Sequence, residues 1–381
     1  MKVLFLSSWY PSNENHGFGV FVKEHAKAIH TTSTEITVLA VLVFRSDYLF
    51  KIDTRDFEDE NGIRTVEIII HSRFRDIIYH LTSLQKNIAY SYIKKHILAD
   101  FTPDIVHSNV IFPAGIIGDF IAGKINKPHI ITEHWSKISG LLNKPYLSAL
   151  AKKTYQNAQV ILPVSDFLKS TILNLLHVLS PSKFHTVPNV IDNETFTYSA
   201  KKTNSDNLQF CAIATWATKR SPDKMPELFM EALNILQRKT GKKIKLVMVG
   251  GGNRVDELKE LASKKTYPID FLGFQPKCML AKVLQNSDYF VHASSVETFG
   301  VVIAEALMTG TPVICSNVGA LPELVDSSNG VLCENTVENW VSGIETAINT
   351  KFDNKKIAES VKEKFSYEAI GQRIESIYKN M

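Results

Sequence analysis

The chain has 381 residues, of which 44% are hydrophobic and 22% are charged, and its formal net charge is +4. This composition excludes a disordered or fibrous protein, and the small net charge argues against a nucleic-acid partner. The length exceeds the size at which one hydrophobic core usually stops growing, so we expect two domains.

No stretch of the sequence is typical of a membrane span or a secretion signal. The longest apolar runs are far shorter than the roughly 20 residues that a spanning helix needs. Trp9 and Pro11 interrupt the first apolar run, which is typical of a β-strand rather than a signal peptide. The four cysteines show no CxxC spacing, and we interpret them as buried free thiols in a reducing cytoplasm. They are Cys211, Cys278, Cys315 and Cys333.

Apolar runs alternate with helical patterns throughout the chain. In the first half, strands are predicted over 3–7, 36–43, 105–107, 129–132 and 160–164, and helices over 21–30, 84–98 and 144–156. In the second half, strands are predicted over 209–213, 244–250, 269–272, 289–292 and 313–315, and helices over 225–239, 254–264, 279–285 and 301–308. Because a parallel crossover needs about a dozen residues, this alternation predicts two α/β units with parallel sheets.

Polar residues without apolar periodicity separate the two halves and predict a linker over 193–207. We therefore expect a first Rossmann-like domain over 1–192 and a second over 208–362. Residues 363–381 are predicted to form a helix that packs back on the first domain. Ligands of open parallel sheets bind beyond the carboxyl ends of the strands, so we expect the active site in a cleft between the domains.

The most informative stretch follows the predicted strand 289–292. A helix starts near Gly300, and Gly310 and Pro312 end it. Its N-terminus offers unpaired backbone N–H groups and a partial positive charge, both suited to a diphosphate. Glu297 lies before this helix and Glu305 about two turns inside it, where carboxylates can accept hydrogen bonds from sugar hydroxyls. The alternative is one glutamate that complements the helix dipole and one that is merely solvated.

Several short motifs surround these two glutamates. Glu297 and Glu305 form a Glu-x7-Glu pattern around Phe-Gly, followed by Gly-Thr-Pro-Val and then by Gly-Ala-Leu-Pro-Glu at 319–323. Further landmarks are Pro-Asn-Val-Ile-Asp at 188–192, Val-Ser before a helix, and the glycine loop at 17–26. Together these motifs strongly resemble glycosyltransferase family 4 over nearly the whole chain. The resemblance implies the GT-B fold, in which two Rossmann-like domains with parallel sheets face each other across a cleft.

The resemblance also gives roles to the residues of this stretch. It implies that Glu297 contacts the donor sugar and that Glu305 contacts the ribose of the nucleotide. Phe299, Gly300 and Val301, which lie between the two glutamates, are assigned to the same donor site.

Glycine-containing turns elsewhere are also assigned to the donor site. Gly251 lies in a Gly-Gly-Gly-Asn run between a strand and a helix, where the backbone can approach a pyrophosphate. Gly273 and Phe274 match the loop that frames the nucleobase in the family. Gly17 and Gly19 lie between the first strand and the first helix, where the backbone comes close to phosphate or acceptor. The alternative at each place is an ordinary turn without a ligand.

Sugar transfer from a nucleoside diphosphate develops negative charge on the leaving phosphate. The chain has no Asp-x-Asp motif, so we predict a basic clamp and no metal ion. The family uses an arginine and a lysine at the start of the second domain, and Lys224 matches the lysine. Thr215 stands where the arginine is expected, so Lys219 or Arg220 is predicted to replace it. The alternative for these three cations is a solvated basic loop.

His134 follows a predicted strand of the first domain and resembles the family histidine that approaches the donor sugar. It can hydrogen-bond a sugar hydroxyl or the reacting centre. The alternative is a structural histidine, which is our interpretation of His16, His25 and His107.

The predicted helix 84–98 carries Lys86, Lys94 and Lys95 among apolar residues. Such a helix can press against an anionic membrane surface. The alternative, which we favour, is a buried apolar stripe with solvated lysines.

Taken with the resemblance, these observations predict a retaining, metal-independent glycosyltransferase without a cofactor, whose co-substrate is a nucleoside-diphosphate sugar. The expected acceptor is a glycan or a lipid-linked glycan of bacterial surface polysaccharide synthesis. We expect a cytoplasmic protein with possible peripheral contact at the inner face of the cytoplasmic membrane. The alternative is a catalytically inactive nucleotide-sugar-binding protein of the same fold, which the missing arginine at Thr215 makes credible.

Overall fold

The computed structural model describes residues 1–15, 17–135, 138–177, 179–200, 207–217 and 224–381. Contacts divide the chain into two compact units. The first consists of Met1–Val190 and Tyr367–Met381, and the second of Ile191–Ser366. The chain thus leaves the first unit shortly before the predicted domain end at residue 192, and it returns with the C-terminal helix.

The first unit is built on a seven-stranded sheet. Its strands are β1 (Lys2–Ser7), β2 (Glu35–Arg45), β3 (Lys51–Glu58), β4 (Arg64–Ser72), β5 (Ile105–Asn109), β6 (His129–Glu133) and β7 (Val160–Pro163). They lie in the order β3-β4-β2-β1-β5-β6-β7. All neighbours are parallel except β3 and β4, which are antiparallel, so the predicted parallel sheet carries one additional antiparallel edge strand. Strand β3 was not predicted, because its residues are almost all exposed and form no apolar run.

Helices cover both faces of this sheet. They are α1 (Val20–His30), α2 (Arg75–His80), α3 (Thr82–His96), α4 (Ile116–Ile125), α5 (Ile138–Leu142), α6 (Pro145–Asn157) and α7 (Asp166–Leu175). Side chains of β1 alternate between the two faces, with Val3 and Phe5 in one buried cluster and Leu4 and Leu6 in the other. This two-sided burial explains why the strands read as continuous apolar runs.

The second unit contains a six-stranded sheet whose neighbouring strands are all parallel. Its strands are β8 (Asn207–Ile213), β9 (Lys243–Val249), β10 (Ile269–Phe271), β11 (Tyr289–His292), β12 (Val313–Ser316) and β13 (Gly330–Cys333), in the order β10-β9-β8-β11-β12-β13. The order reverses direction between β8 and β11. Ligands of parallel sheets bind at such a switch point, beyond the carboxyl ends of the strands.

The helices of this unit are α8 (Pro226–Thr240), α9 (Val255–Ser263), α10 (Lys277–Asn286), α11 (Val301–Met308), α12 (Leu321–Leu324), α13 (Val337–Asn349) and α14 (Asn354–Phe365). Local sequence fixes several of their ends. Pro226 begins α8 and Gly241 ends it in a left-handed conformation, while the Thr336 hydroxyl caps α13 by accepting a hydrogen bond from the Asn339 N–H. The last helix, α15 (Tyr367–Lys379), packs against α1 in the first unit.

Two expectations about exposure are resolved by this fold. On α3, Ala89 and Ile93 are buried in the core, and Lys94 and Lys95 are exposed, so its apolar stripe faces inward. In the part of the chain that the structure describes, no helix combines the length and the apolarity needed to cross a bilayer. The cysteines are unpaired, but Cys278 is exposed on α10, so the prediction that all four thiols are buried is wrong there.

Candidate donor site

Three side chains meet beyond the carboxyl ends of β8 and β11 in the second unit. The Lys224 ammonium forms an ion pair with the Glu297 carboxylate. Nε2 of His292, the last residue of β11, lies 2.8 Å from the same carboxylate oxygen of Glu297. The structure therefore brings the predicted phosphate clamp and the predicted sugar contact together, and it adds a histidine to them.

The charges of this cluster support one another. Burial opposes ionisation of Glu297, but the hydrogen bond from His292 and the charge of Lys224 outweigh it and lower the pKa of Glu297 to about 2. Burial and the neighbouring Lys224 lower the pKa of His292, so this ring is neutral. Its Nε2–H donates to Glu297, and the 3.3 Å approach of Lys224 Nζ to the same nitrogen is therefore a contact without a hydrogen bond.

Backbone contacts hold the Glu297 loop in place. The Ala320 N–H donates to the Glu297 carbonyl over 3.0 Å. Gly319 has a φ of 57°, and a Cβ there would collide with the same carbonyl, so this close approach requires glycine. The Ser294 hydroxyl donates to the Val296 carbonyl over 2.9 Å. The motif at 319–323 thus serves to support the loop that carries Glu297.

Helix α11 begins immediately after this loop. Gly300 precedes it with a φ of 92°, and Val301 is its half-buried first residue. Glu305 lies about one turn further along α11, not two turns inside it as predicted, and is also half-buried. The side chain of Phe299 is buried and packs edge-on against Phe365 at 5.5 Å, and its assignment to the donor site stays a prediction.

The two predicted nucleotide-binding turns contact each other. A Cβ at Gly251 would collide with the ring of Phe274, which is itself 73% exposed. The Gly250 N–H donates to the carbonyl of Gly273 over 2.8 Å, and Gly273 has a φ of 65°. An exposed aromatic ring beside a glycine backbone offers a flat surface on which a nucleobase can stack. Both turns lie on the β9–β10 side of the Lys224 cluster.

No arginine lies at position 215, where the family resemblance places one. Thr215 is exposed, and the next residue, Trp216, is buried with its ring N–H bonded to the Val249 carbonyl over 3.2 Å. The predicted substitutes Lys219 and Arg220 lie outside the described residues. Arg254, which the sequence did not point to, approaches the carbonyl of Lys224 at 3.3 Å.

Arg254 is committed to neighbouring carboxylates. Its buried guanidinium pairs with Glu227 and, over 2.9 Å, with Glu257. It therefore supports the backbone at Lys224 rather than offering a free charge to a phosphate. In the described ranges, no three histidine, cysteine, aspartate or glutamate side chains are grouped so that they could hold a metal ion. Metal independence stays a prediction.

The glycine loop of the first unit has a structural explanation at one of its two positions. Gly19 precedes α1 with a φ of 77°, and a Cβ there would collide with the Trp9 carbonyl. Gly17 is exposed, and no heavy atom lies within 4 Å of the position of its Cβ. Only Gly19 is thus required by close packing, and a ligand role of either glycine stays a prediction.

His134 directly follows β6 and is buried. Its Nδ1 lies 2.9 Å from the side-chain oxygen of Asn189, and its Nε2 lies 3.3 Å from that of Asn109. His25 and His107 are also buried, and His107 bonds to the Thr132 hydroxyl over 2.7 Å. His16 lies outside the described residues.

Glu133 fixes the backbone around His134. Its carboxylate accepts hydrogen bonds from the N–H groups of Ile111, His134 and Trp135, at 2.9, 3.0 and 2.9 Å, and from the Tyr155 hydroxyl at 2.9 Å. Burial raises the pKa of this carboxyl above its ordinary value, and the four donors oppose that rise. Because all four partners donate, the carboxylate form fits this site.

Comparison with known families confirms the resemblance. Residues 213–364 match the family described as Glycosyl transferases group 1, and residues 16–195 match Glycosyltransferase Family 4. The chain is a glycosyltransferase of the family 4 type with the GT-B fold.

The glycosyltransferase is similar to several known proteins over most of its length. It is 26% identical over 346 residues to the uncharacterized glycosyltransferase MJ1178 of Methanocaldococcus jannaschii, covering 88% of this chain and 91% of that one. It is 24% identical over 341 residues to the putative teichuronic acid biosynthesis glycosyltransferase TuaC of Bacillus subtilis, covering 85% and 83%. Anabaena Alr3699/HepE, solved in complex with UDP, superposes with a TM-score of 0.72 over all of both chains at 17% identity.

Sequence reasoning missed two residues of the glycosyltransferase site. His292 was placed only as a strand end, although a histidine five positions before Glu297 could have signalled a partner for that carboxylate. Arg254 follows the glycine run directly, but nothing in the sequence shows that it reaches the backbone of Lys224. Both depend on contacts between separate elements.

Proposed function

We propose that this glycosyltransferase transfers a sugar from a nucleoside diphosphate to a hydroxyl group with retention of anomeric configuration. The observation that carries the proposal is the Lys224–Glu297–His292 cluster beside the N-terminus of α11. It combines a cation for a leaving diphosphate with a carboxylate that stays ionised to accept hydrogen bonds from sugar hydroxyls. The UDP bound to Anabaena HepE supports a nucleotide donor.

In this mechanism the donor diphosphate lies between Lys224 and the first turn of α11. Lys224 and the helix N-terminus stabilise the charge that develops on the leaving phosphate. We propose that Arg220 also stabilises the leaving phosphate, because Thr215 occupies the position where the family has an arginine. No metal ion is needed if these groups neutralise the diphosphate.

Glu297 and Glu305 orient the donor at its two ends. Glu297 accepts hydrogen bonds from the sugar, and Glu305 accepts them from the ribose. The exposed ring of Phe274, with Gly251 and Gly273 beside it, receives the base. His134 of the first unit hydrogen-bonds a hydroxyl of the donor sugar. The leaving phosphate helps to deprotonate the acceptor hydroxyl on the same face, so the configuration at the anomeric carbon is retained.

We propose a lipid-linked glycan as the acceptor and peripheral contact with a membrane. An apolar surface of the first unit supports this, formed by Tyr48, Leu49, Phe50, Phe74 and Ile77, all exposed at the carboxyl ends of β2 and β4. Two hydrogen bonds, from the Arg73 N–H to the Tyr48 carbonyl at 2.7 Å and from the Ser72 hydroxyl to the Leu49 carbonyl at 2.6 Å, hold its two segments together. The name of TuaC supports a polysaccharide pathway.

Proton NMR of the product tests the proposal. The purified protein is incubated with a panel of nucleoside-diphosphate sugars and membrane lipid extract, with and without EDTA, and the anomeric signal of the product is followed. We expect a product with the anomeric configuration of the donor, formed equally in EDTA. An inverted product would contradict retention, and loss of turnover in EDTA would contradict metal independence. Donor binding without any turnover would favour the inactive nucleotide-sugar-binding protein.

A further inference from the structure

Two imidazoles of the first unit meet at a single buried amide, that of Asn189. His134 Nδ1 lies 2.9 Å from Asn189 Oδ1, and His25 Nε2 lies 3.3 Å from the same oxygen. The two rings are nearly perpendicular, with centroids 5.2 Å apart. Asn189 is the asparagine of the 188–192 motif, to which the donor site gives no task. Hydrogen bonds from His185 and Val187 to β7, both 3.0 Å long, hold the segment that leads to it.

The protonation of these rings follows from their burial. Burial lowers the pKa of His25 to about 4 and that of His134 well below its ordinary value, so both rings are neutral. A neutral imidazole carries one N–H, and an amide oxygen has two lone pairs. Asn189 Oδ1 can therefore accept from both rings at once. His134 then carries its proton on Nδ1, and its Nε2 carries a lone pair.

The other side of the His134 ring supports this arrangement. Asn109 Oδ1 lies 3.3 Å from His134 Nε2, while Asn109 Nδ2 is buried without a partner among the described residues. The oxygen and nitrogen of an amide exchange places by a half-turn. After that turn, Asn109 donates to the Nε2 lone pair.

The reverse arrangement is less favourable. It requires Asn189 to turn and donate to both rings, so that His134 Nε2–H donates to Asn109 Oδ1. Asn109 Nδ2 would then stay buried without an acceptor. A buried donor without a partner is rarer in proteins than an acceptor with a free lone pair, so the first arrangement fits better.

We propose that Asn189 is a positioning residue that holds His134 in its Nδ1–H tautomer and leaves Nε2 as a hydrogen-bond acceptor. The inference rests on the proposed function, in which His134 meets a hydroxyl of the donor sugar. A hydroxyl donates to the Nε2 lone pair and replaces the Asn109 contact, which at 3.3 Å is long for a hydrogen bond. His134 thus orients the sugar as an acceptor group and does not supply a proton.

Side-chain NMR of ¹⁵N-histidine-labelled protein tests the tautomer directly. The shifts of Nδ1 and Nε2 show which nitrogen carries the proton, and the His134 signals are those lost in His134→Gln. We expect the Nδ1–H form in the wild type and in Asn109→Leu, which removes the other amide beside the ring. Asn189→Leu should shift the ring toward the Nε2–H form. An Nε2–H ring in the wild type, or an unchanged ring in Asn189→Leu, would overturn the proposal.

Asn189→Asp is a control that distinguishes loss of the hydrogen-bond acceptor from a folding defect in Asn189→Leu. Its carboxylate keeps an acceptor oxygen, so the Nδ1–H form should persist at alkaline pH, where the ring is neutral. In transfer assays, loss of this buried hydrogen bond in Asn189→Leu should lower kcat/KM about tenfold, with Asn189→Asp restoring much of it at alkaline pH. If the tautomer is as expected but His134→Gln transfers sugar normally, the role of His134 in the proposed function fails and the tautomer assignment stands.

Discussion

Glu297 lies just beyond the carboxyl end of β11, and Glu133 is the last residue of β6 in the other unit, yet their surroundings are opposite. Glu297 meets the side chains of Lys224 and His292, which lower its pKa to about 2. Glu133 meets three backbone N–H groups and a tyrosine hydroxyl, with burial raising its pKa. A carboxylate held by the side chains of a lysine and a histidine can exchange partners with a ligand. One held by backbone amides fixes the shape of a loop.

This difference separates a binding role from a structural role. The charges around Glu297 are available to a diphosphate and a sugar, since Lys224 needs only to share its ammonium with a second anion. The donors around Glu133 belong to the turn at Ile111, to the segment of His134 and to Tyr155 of α6, so this carboxylate ties three parts of the first unit together. Substitutions in the Glu297 cluster should therefore lower activity more than stability, and substitutions at Glu133 should lower stability more than activity.

The largest effect is expected for Lys224→Ala. Removing the cation that faces the leaving diphosphate should lower kcat/KM by about a thousandfold, as for other electrostatic stabilisers of a transition state. The free energy of unfolding should fall less than in Glu133→Gln, because the partly exposed Lys224 is one of two partners of the Glu297 carboxylate and His292 stays in place. Steady-state transfer assays check this, with the exposed Lys282→Ala as a matched control. Equal activity of the two variants would remove Lys224 from the clamp.

Glu133→Gln should instead act on stability. The amide has one acceptor oxygen in place of two, and its NH2 group would face backbone donors, so we expect a loss of roughly 3 to 4 kcal/mol in the free energy of unfolding. Urea unfolding measures it, and Glu35→Gln, at an exposed surface pair, is the control. A stability loss below 1 kcal/mol, on the order of an ordinary surface change, would show that this carboxylate does not organise the loop.

The pH dependence of stability should also differ. The pKa of Glu297 is lowered by folding from 4.5 to about 2, which corresponds to about 3 kcal/mol of stability that is present above the ordinary pKa. This contribution is lost as the pH falls through 4.5 toward 2. Glu297→Gln should flatten that acid-side loss in urea titrations at neutral and acidic pH. The exposed Glu363→Gln should keep the wild-type slope, and an unchanged slope in Glu297→Gln would contradict the pairing.

The smallest effect is expected for His292→Phe. The ring keeps its place beside Phe290 but loses the hydrogen bond to Glu297, so we expect about a tenfold rise in KM for the donor with a smaller change in kcat. Donor-dependent kinetics measure this, and His292→Gln, which keeps an N–H donor, should restore part of the affinity. If both variants bind the donor like the wild type, His292 does not orient Glu297.

The sequence predicted the elements that carry strong local signals. Helix α11 begins and ends within a residue or two of the predicted positions, because Gly300 and the Gly310–Pro312 segment stop the helix at both ends. Strand β3 was missed because it is an exposed edge without an apolar run.

The side-chain hydrogen bonds between separate elements could not be predicted from local sequence signals. His292 pairs with Glu297, and Asn189 with His134, through loops whose geometry depends on the surrounding sheet. Their residue types allow such contacts, but only the fold brings the atoms together. The fold class could be predicted, and the network that sets the charge of Glu297 could not.

Donor binding measured by thermal unfolding tests the central claim most directly. UDP-, GDP- and ADP-sugars are added to the wild type, Lys224→Ala and Lys282→Ala, and the Tm of each is recorded. At about 100 times its Kd, a donor that binds the folded protein stabilises it by about 2.7 kcal/mol. We predict that at least one donor raises the Tm of the wild type and of Lys282→Ala but not that of Lys224→Ala. Protection by no donor, or equal protection of all three proteins, would contradict a nucleotide-sugar site at Lys224 and Glu297.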